Sequence, residues 1–335
     1  MDTRKVLVLV LAGGEGIRLY PLTSNLAKPA VPFVDGYRLI DFVLSNLVNS
    51  RISTIYVLAQ YQSQSLIEHL DAAWAPWSRG TGLSIKVRLP RANGGVASYK
   101  GTADAVYQNI DLIERHKPDF VAVFAADHVY RMDIRQMVSF HWARNAEVSV
   151  AAVPVPIEEA SSFGIIVAGA DGCIQEFQEK PDHPAPMPKD PARAYASMGN
   201  YLFNPRTLVE LLEETSQLDG TDFGRHILPR LPRSRRVLAY NFAGNEVPGV
   251  LPHEERGYWR DVGTLDALRA AQFDVMGPYP RFDLRNRRWP IHGVGHGLSA
   301  VLNRARLREE IATGGLMRHT VLPPPERAGT SRVSH

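Results

Sequence analysis

The chain has 335 residues, of which 44% are hydrophobic and 22% charged, with a formal net charge of +3. This length can bury a large core, and it fits one α/β domain with a short appendage. The basic residues are scattered along the chain, so no nucleic-acid partner is expected. The single cysteine, Cys173, excludes an internal disulfide and a cysteine-based zinc site, and it favours a cytoplasmic location. No segment approaches the ~20 apolar residues of a membrane span, so no membrane partner is expected.

The first predicted element is a strand that opens into a glycine-rich loop. Residues 6–11 are apolar and rich in valine, which predicts a buried strand of a parallel sheet, and Gly13, Gly14 and Gly16 follow closely. Glycines let successive backbone N–H groups face an anion, and Arg18 can add a bidentate donor for phosphate oxygens. The spacing matches neither the P-loop nor the dinucleotide-binding fingerprint. We therefore predict a triphosphate-binding loop, with an ordinary tight turn as the alternative.

The next part of the chain alternates strands and helices. Strands are predicted at 54–59, 84–89, 119–125 and 147–153, and helices at 38–49, 62–74, 102–115 and 133–144. This alternation predicts a largely parallel sheet with helices packed on it.

Short strands dominate the following segment. They are predicted at 163–168, 173–179 and 196–203, and they favour a strand-rich lid on the sheet. Further helices are predicted at 205–214, 223–231 and 264–276, and further strands at 237–242 and 258–262. Residues 1–280 are predicted to form the main domain. Residues 281–335 are predicted to be a short irregular remnant, disordered from residue 323 and with a flexible turn at 293–297.

Two aspartates stand where predicted strands end. Asp127 follows the strand at 119–125, and Asp261 lies near the end of the strand at 258–262. Open α/β sheets hold their ligands at the carboxyl ends of strands. Because Mg²⁺ takes few protein carboxylates and completes its shell with phosphate oxygens, the pair indicates Mg²⁺-dependent phosphoryl or nucleotidyl transfer. A helix cap or a solvated turn is the alternative for each aspartate alone.

Three other features lie near predicted strand or helix ends. Lys180, beside Glu179 at the end of a strand, could hold a dianionic phosphate as a point charge. His128, beside Asp127, is predicted to orient or pack rather than to act as a base. Residues 222–224 spell the kinase DFG motif without an H-R-D loop elsewhere, which predicts a helix cap instead.

Ten strings along residues 6–290 resemble the ADP-glucose pyrophosphorylase family in order and spacing. They are AGGEGIRL, AKPAVPF, RLIDFVLSN, QYQSQSLIEHL, KGTADAVYQN, ADHVYRMD, VPIEEASSFG, FQEKP, ASMGNYLF and YWRDVGTLDA. The resemblance implies that residues 1–280 are a Rossmann-like nucleotidyltransferase domain with a mixed, mostly parallel sheet. It implies an enzyme that converts a nucleoside triphosphate and a sugar 1-phosphate into a nucleoside-diphosphate sugar and pyrophosphate.

The resemblance also assigns roles to individual residues by matching motif. The nucleotide would be held by Gly13, Gly14, Gly16 and Arg18. The catalytic residues would be Arg18, Lys28 and Asp127, and the Mg²⁺ ligands would be Asp127 and Asp261. The sugar 1-phosphate would be held by Tyr99, Gly164, Glu179, Lys180 and Ser197.

The chain departs from the family pattern in regions tied to regulation and base recognition. The C-terminal left-handed β-helix of the glycogen and starch enzymes is missing or vestigial, because residues 290–335 show no hexapeptide period. Asn25 stands where bacterial members often have an activator-binding lysine, and RANGG at 91–95 replaces a glutamine-rich string. Without the β-helix, a homodimer or monomer is expected rather than a tetramer.

These departures favour a specialised substrate. Truncated relatives act in aminocyclitol antibiotic biosynthesis, so the first expectation is transfer from GTP or ATP to a valienol-type cyclitol 1-phosphate. The alternative is a glucose-1-phosphate adenylyltransferase that makes ADP-glucose for glycogen. A third possibility is a non-catalytic paralogue that binds sugar nucleotides.

Overall fold

A computed structural model describes residues 4–78, 81–92 and 97–294 of the chain. Its strands are β1 (Val6–Ala12), β2 (Thr54–Ala59), β3 (Ser84–Arg88), β4 (Phe120–Ala125), β5 (His128–Tyr130), β6 (Val148–Pro156), β7 (Gly164–Ala168), β8 (Ile174–Glu179), β9 (Arg193–Phe203), β10 (Val237–Asn241) and β11 (Trp259–Asp261). Its α-helices are α1 (Leu39–Asn49), α2 (Ser63–Ala73), α3 (Ala75–Ser78), α4 (Thr102–Tyr107), α5 (Asp111–His116), α6 (Ile134–Ala143), α7 (Pro205–Gln217) and α8 (Leu265–Asp274).

Among these residues a nine-stranded sheet has the order β10-β6-β9-β4-β1-β2-β3, with the β7–β8 hairpin attached to β9. The strand β1 pairs in parallel with both β2 and β4, and β3 and β10 also pair in parallel with their neighbours. Only β9 and the hairpin run antiparallel within this sheet. The predicted fold class, a mixed and mostly parallel Rossmann-like α/β sheet, is confirmed.

The predicted strand-rich lid is only partly correct. The strand β9 is eleven residues long and lies between β4 and β6 in the middle of the sheet. Its second half is buried, with Leu202 and Phe203 packed on opposite faces of the sheet. Burial on both faces requires a central position. Within the nine-stranded sheet, only the β7–β8 hairpin lies outside the row of strands from β10 to β3.

Two of the three apolar clusters of the core lie on the main sheet, one on each face. Successive side chains of β1 alternate between them, with Val8 and Val10 in one layer and Leu7 and Leu9 in the other. Helices α1, α2 and α6 cover the first layer, and α4, α5 and α7 cover the second. The sheet is therefore held rigidly from both sides, and its edge is a fixed platform for loops.

The helix predicted at 102–115 is interrupted between α4 and α5. At the break, the buried Asn109 side chain donates hydrogen bonds to the Ala105 carbonyl at 2.9 Å and to the Tyr99 hydroxyl at 3.2 Å. A side chain that bonds to the backbone in this way competes with the regular helical ladder.

The segment 281–294 contains no helix or strand, yet it packs on the main body of the protein. Trp289 Nε1 donates to Asn46 Oδ1 at 3.0 Å, and the His292 backbone N–H donates to Ser45 Oγ at 2.8 Å. The described residues contain no β-helix rung. The boundary at residue 280 stays a prediction, while the predicted disorder from residue 323 and most of the predicted turn at 293–297 lie outside the described residues.

None of the helices in the described ranges is both long and apolar enough to cross a membrane. A homodimeric state and a cytoplasmic location stay predictions from the sequence.

Candidate active site

Pairing of two short strands brings the predicted metal-binding aspartates together. The strand β11 runs antiparallel to β5 in a separate two-stranded sheet, so Asp261 lies opposite His128 rather than in the main sheet. Asp127 directly precedes β5. The His128 Nε2 atom is 3.7 Å from Asp127 Oδ1 and 3.8 Å from Asp261 Oδ1. Both carboxylates therefore face the same small volume, and the ring of His128 packs edge to face against Trp259.

Lys28 joins this pair through a direct ion pair with Asp127 Oδ2. Both side chains are largely buried, with 13% of Lys28 and 21% of Asp127 exposed. Burial by itself would lower the pKa of Lys28, but Asp127 and Asp261 outweigh that effect and the pKa is raised. Burial would likewise raise the pKa of Asp127, but Lys28 and His128 hold it below its usual range. The pair is consequently fully ionised at neutral pH.

The glycine loop after β1 packs against the stem of Lys28. Gly16 has a φ of +73°, and a Cβ there would lie 2.9 Å from Thr23 Cγ2 and 3.1 Å from Lys28 Cβ. Glycine at position 16 thus permits both the left-handed backbone conformation and the close contacts with Thr23 and Lys28. Around Gly14, in contrast, a Cβ would meet nothing within 4 Å, and the residue is exposed. The loop therefore has one constrained glycine and one that leaves open space.

Arg18 follows this loop and lies beside the second aspartate. A Cβ on Gly263 would be 3.1 Å from Arg18 Nη2 and 3.5 Å from Asp261 Oδ1. The loop, Lys28, Asp127 and Asp261 are thus one contiguous cluster, and their assignment to the nucleotide and the metal stays a prediction. Gly263 was not singled out from the sequence, although it directly follows the predicted strand that holds Asp261.

Glu179 occupies a gap left by two glycines. It lies opposite Gly164 in the β7–β8 hairpin. Its Oε2 atom is 3.2 Å from the position of a Cβ on Gly164 and 2.6 Å from that of a Cβ on Gly224. Burial raises the pKa of Glu179, Lys180 opposes the shift and Asp222 adds to it. Lys180 has a φ of +48°, a side chain that is 55% exposed, and an Nζ atom 4.0 Å from Glu179 Oε1.

Ser197 lies on β9, between the aspartate pair and the hairpin that holds Glu179. Its hydroxyl accepts a hydrogen bond from the Gly199 backbone N–H at 3.3 Å. Gly199 has a φ of +67°, and a Cβ there would be 3.6 Å from His128 Cε1. Because β9 also pairs with β7, one strand reaches from the aspartate pair toward the hairpin that holds Glu179.

Tyr99, one of the five residues predicted to hold the sugar 1-phosphate, lies against the glycine loop. Its ring is 3.9 Å from the position of a Cβ on Gly13, and its backbone N–H donates to the Gln60 side chain. Its hydroxyl donates to the Arg88 carbonyl at 3.4 Å. Tyr99 therefore belongs to the wall of the glycine loop. Gln60, which directly follows β2, is a neighbour of the site that the sequence did not reveal.

The DFG string caps a helix, as predicted, but that helix is a short π-helix over Phe223–Ile227 rather than one over 223–231. Asp222 Oδ1 accepts from the Arg225 backbone N–H at 3.1 Å, and its Oδ2 accepts from the Thr102 hydroxyl at 2.9 Å. Sequence reasoning missed that this cap also adjoins Glu179. The available signal was Gly224, whose missing side chain makes room for the Glu179 carboxylate.

The donor set at Asp127 and Asp261 fits Mg²⁺ held jointly with a phosphate ligand. Within the described ranges no three histidine, cysteine or carboxylate side chains form a cluster that could enclose a metal ion. Two carboxylates that face the same small volume would leave the other coordination positions of the ion to water and phosphate oxygens, which Mg²⁺ accepts readily.

Comparison with known proteins agrees with this arrangement. Residues 7–276 match the family model described as nucleotidyl transferase, a range that contains every site element described above. The fold and the match define a sugar-phosphate nucleotidyltransferase.

Three relatives narrow the family further. They are the glucose-1-phosphate adenylyltransferases of Thermodesulfovibrio yellowstonii (54% identical, covering 86% of this chain and 70% of the relative), Thermus thermophilus (44%, covering 95% and 81%) and Mycolicibacterium smegmatis (46%, covering 92% and 77%). The chain belongs to the ADP-glucose pyrophosphorylase family, as its motifs predicted.

Proposed function

We propose that this enzyme transfers the adenylyl group of ATP to glucose 1-phosphate, forming ADP-glucose and pyrophosphate. The observation that carries the choice of substrates is that relatives 44–54% identical over most of the chain are named glucose-1-phosphate adenylyltransferase. These relatives support the alternative derived from the sequence better than the first expectation, a cyclitol 1-phosphate in antibiotic biosynthesis.

In the proposed reaction, an oxygen of the sugar phosphate attacks the α-phosphorus of ATP and the bond to pyrophosphate breaks. The backbone of the glycine loop and Arg18 would hold the triphosphate, and Lys28 would neutralise negative charge that develops on it. Mg²⁺, held by Asp127 and Asp261, would supply further charge neutralisation at the phosphates. Because the sugar phosphate is itself the nucleophile, no covalent enzyme intermediate is needed.

The second substrate is proposed to bind where the β7–β8 hairpin meets β9. Lys180, exposed beside Glu179, would meet the phosphate dianion as a point charge. Glu179 would accept hydrogen bonds from ring hydroxyls, and the partly buried Ser197 would contribute a further polar contact. The contacts of Tyr99 support moving it from this group to the nucleotide side, beside Gly13.

The test measures pyrophosphate release from ATP, GTP, CTP and UTP, each paired in parallel with glucose 1-phosphate and valienol 1-phosphate. We expect the highest kcat/KM for ATP with glucose 1-phosphate. Faster turnover of the cyclitol would contradict the proposed substrate and restore the antibiotic-pathway reading. No release with any pair would instead indicate a sugar-nucleotide-binding paralogue.

A further inference from the structure

Three consecutive residues at the end of β5 are held by groups from distant parts of the chain. The Asn46 side chain of α1 donates to the Tyr130 carbonyl and accepts from the Met132 backbone N–H, both at 3.0 Å. Between them, the Arg131 guanidinium donates to the Asp283 carbonyl. Asn46 is fully buried, so water does not compete for its hydrogen bonds. The chain is therefore firmly anchored where it leaves β5.

Part of this anchor comes from the segment 282–292, which we call the strap. Its Trp289 Nε1 atom donates to Asn46 Oδ1 at 3.0 Å, the same oxygen that binds the backbone after β5. Its Phe282 ring lies against the Arg131 guanidinium, with 4.1 Å from Cζ to the ring centroid. Both aromatic side chains are buried. The strap thus holds the end of β5 directly through Arg131 and indirectly through Asn46.

The anchored residues lie at one end of β5, and Asp127 directly precedes the other end. The strand spans only His128–Tyr130, and its pairing with β11 puts His128 opposite Asp261. Two strands of three residues each have few hydrogen bonds of their own, so their position depends on what holds them from outside. The anchor at Asn46 therefore helps to set where Asp127 lies relative to Asp261.

We infer that Asn46 is a positioning residue for the aspartate pair, and that the strap keeps Asn46 in place through the indole of Trp289. Its three hydrogen bonds fix the orientation of the Asn46 amide, and loss of the indole N–H leaves that amide free to turn. The end of β5 then loosens, and Asp127 moves with it. A misplacement of about 1 Å at a reacting centre can cost about 10²-fold in rate.

The inference rests on the proposed nucleotidyl transfer but not on the identity of the sugar or the base. Its test is Trp289→Phe, which keeps a buried ring and removes the indole N–H. Asn200 still donates to the Tyr130 hydroxyl at 3.2 Å, so the loosening is partial. We expect kcat, measured well below the unfolding temperature, to fall by about tenfold, and the KM for each substrate to change by less than about twofold.

Hydrogen–deuterium exchange of the ligand-free protein gives a readout that does not depend on turnover. In Trp289→Phe, peptides that cover β5 should exchange about tenfold faster than in the wild type, while peptides that cover β10 should exchange at the wild-type rate. The control for lost stability is Val237→Ala, a buried position on β10 at the sheet edge. It should lower the Tm and leave both kcat and the exchange of β5 unchanged.

The inference is overturned if folded Trp289→Phe keeps either the wild-type kcat or the wild-type exchange of β5. If that variant does not fold, native-state exchange of the wild type in rising denaturant decides. The amides of β5 should then open together with the His292 amide of the strap, which donates to Ser45 Oγ at 2.8 Å. Protection of β5 that outlasts the strap would overturn the inference. A wild type that turns over no substrate pair would contradict the proposed function instead, and the exchange of β5 alone would then decide the inference.

Discussion

The two halves of the site differ in how their charges are balanced. In the phosphate half, Asp127 and Lys28 form a direct pair, and both are more than three-quarters buried. In the sugar half, Glu179 lies 4.0 Å from its cationic partner, Lys180, and the Lys180 side chain is 55% exposed. The first half is preorganised by charges within the protein, whereas the second half is left to gain its strongest electrostatic partner from the ligand.

This difference predicts that the two halves will respond differently to mutation. Losing a charge from the preorganised half leaves another buried charge without its partner, which affects the transition state and the protein itself. Losing the Lys180 charge from the open half removes only a 4.0 Å contact made by an exposed side chain, so binding should weaken while the chemical step is largely kept.

The largest effect is expected for Asp127→Asn. The change removes a proposed metal ligand and leaves Lys28 without its carboxylate, so we expect kcat to fall by about 10²- to 10³-fold. Pyrophosphate release measures it. The control is Asp119→Asn, an exposed carboxylate just before the opposite end of β4 that accepts from the Lys5 N–H at 2.7 Å. A folded Asp127→Asn enzyme with near-normal kcat would contradict the proposed role.

The next effect is expected for Lys180→Gln. Loss of a solvated point charge for the phosphate dianion should raise the KM for the sugar 1-phosphate by about tenfold or more, and the KM for ATP should change little. Steady-state kinetics with each substrate varied separately would measure both constants. The exposed Lys189 provides a charge-matched Lys189→Gln control. A selective rise in the KM for ATP would instead assign Lys180 to the nucleotide.

A smaller effect is expected for the glycine loop, where two neighbours form a matched pair. In Gly16→Ala the new Cβ meets Thr23 and Lys28 at about 3 Å and is strained by the φ of +73°. It should cost about 1–3 kcal/mol of unfolding free energy. In Gly14→Ala the Cβ meets nothing within 4 Å, so the Tm should stay at the wild-type value. Thermal unfolding followed by circular dichroism compares them, and equal Tm values would contradict the packing described for Gly16.

The phosphate half was also the more predictable half from sequence. The strand β1 with its glycine loop and the strand β4 with Asp127 are continuous local patterns, an apolar run followed directly by a break. Parallel strands bring such ends to one edge of a sheet whatever the rest of the chain does. The meeting of Asp127 and Asp261 was predicted by the same logic, but the antiparallel pairing of β11 with β5, outside the main sheet, is what brings them together.

The sugar half depends on pairings that local patterns do not encode. The predicted strand at 196–203 has the composition of any short strand, and nothing in its spacing indicates that β9 lies between β4 and β6. The space that Gly164 and Gly224 leave for Glu179 exists only after the hairpin and the cap at Asp222 have come together. The surroundings of Tyr99 were hidden for the same reason, since its neighbours Gly13 and Gln60 come from distant parts of the chain.

The smallest effect concerns the pH dependence of Glu179. Because burial raises its pKa above the ordinary value of 4.5, the folded state disfavours the ionised carboxylate. The destabilisation by the ionised Glu179 is absent below the pKa that this residue has in the unfolded chain. It develops as the pH rises through the higher pKa of Glu179 in the folded protein. Solvent screens this half-buried group, so we expect Glu179→Gln to raise the unfolding free energy by less than about 1 kcal/mol at pH 8 and not at pH 4.

The same variant should weaken sugar binding while it stabilises the fold, because the neutral amide is a weaker acceptor for ring hydroxyls than the carboxylate. Urea unfolding at pH 4 and pH 8, together with the KM for glucose 1-phosphate at pH 8, separates the two effects. A Glu179→Gln protein less stable than the wild type at pH 8 would show that the carboxylate is already satisfied by the protein. The sugar half would then be as preorganised as the phosphate half, and the contrast between them would be lost.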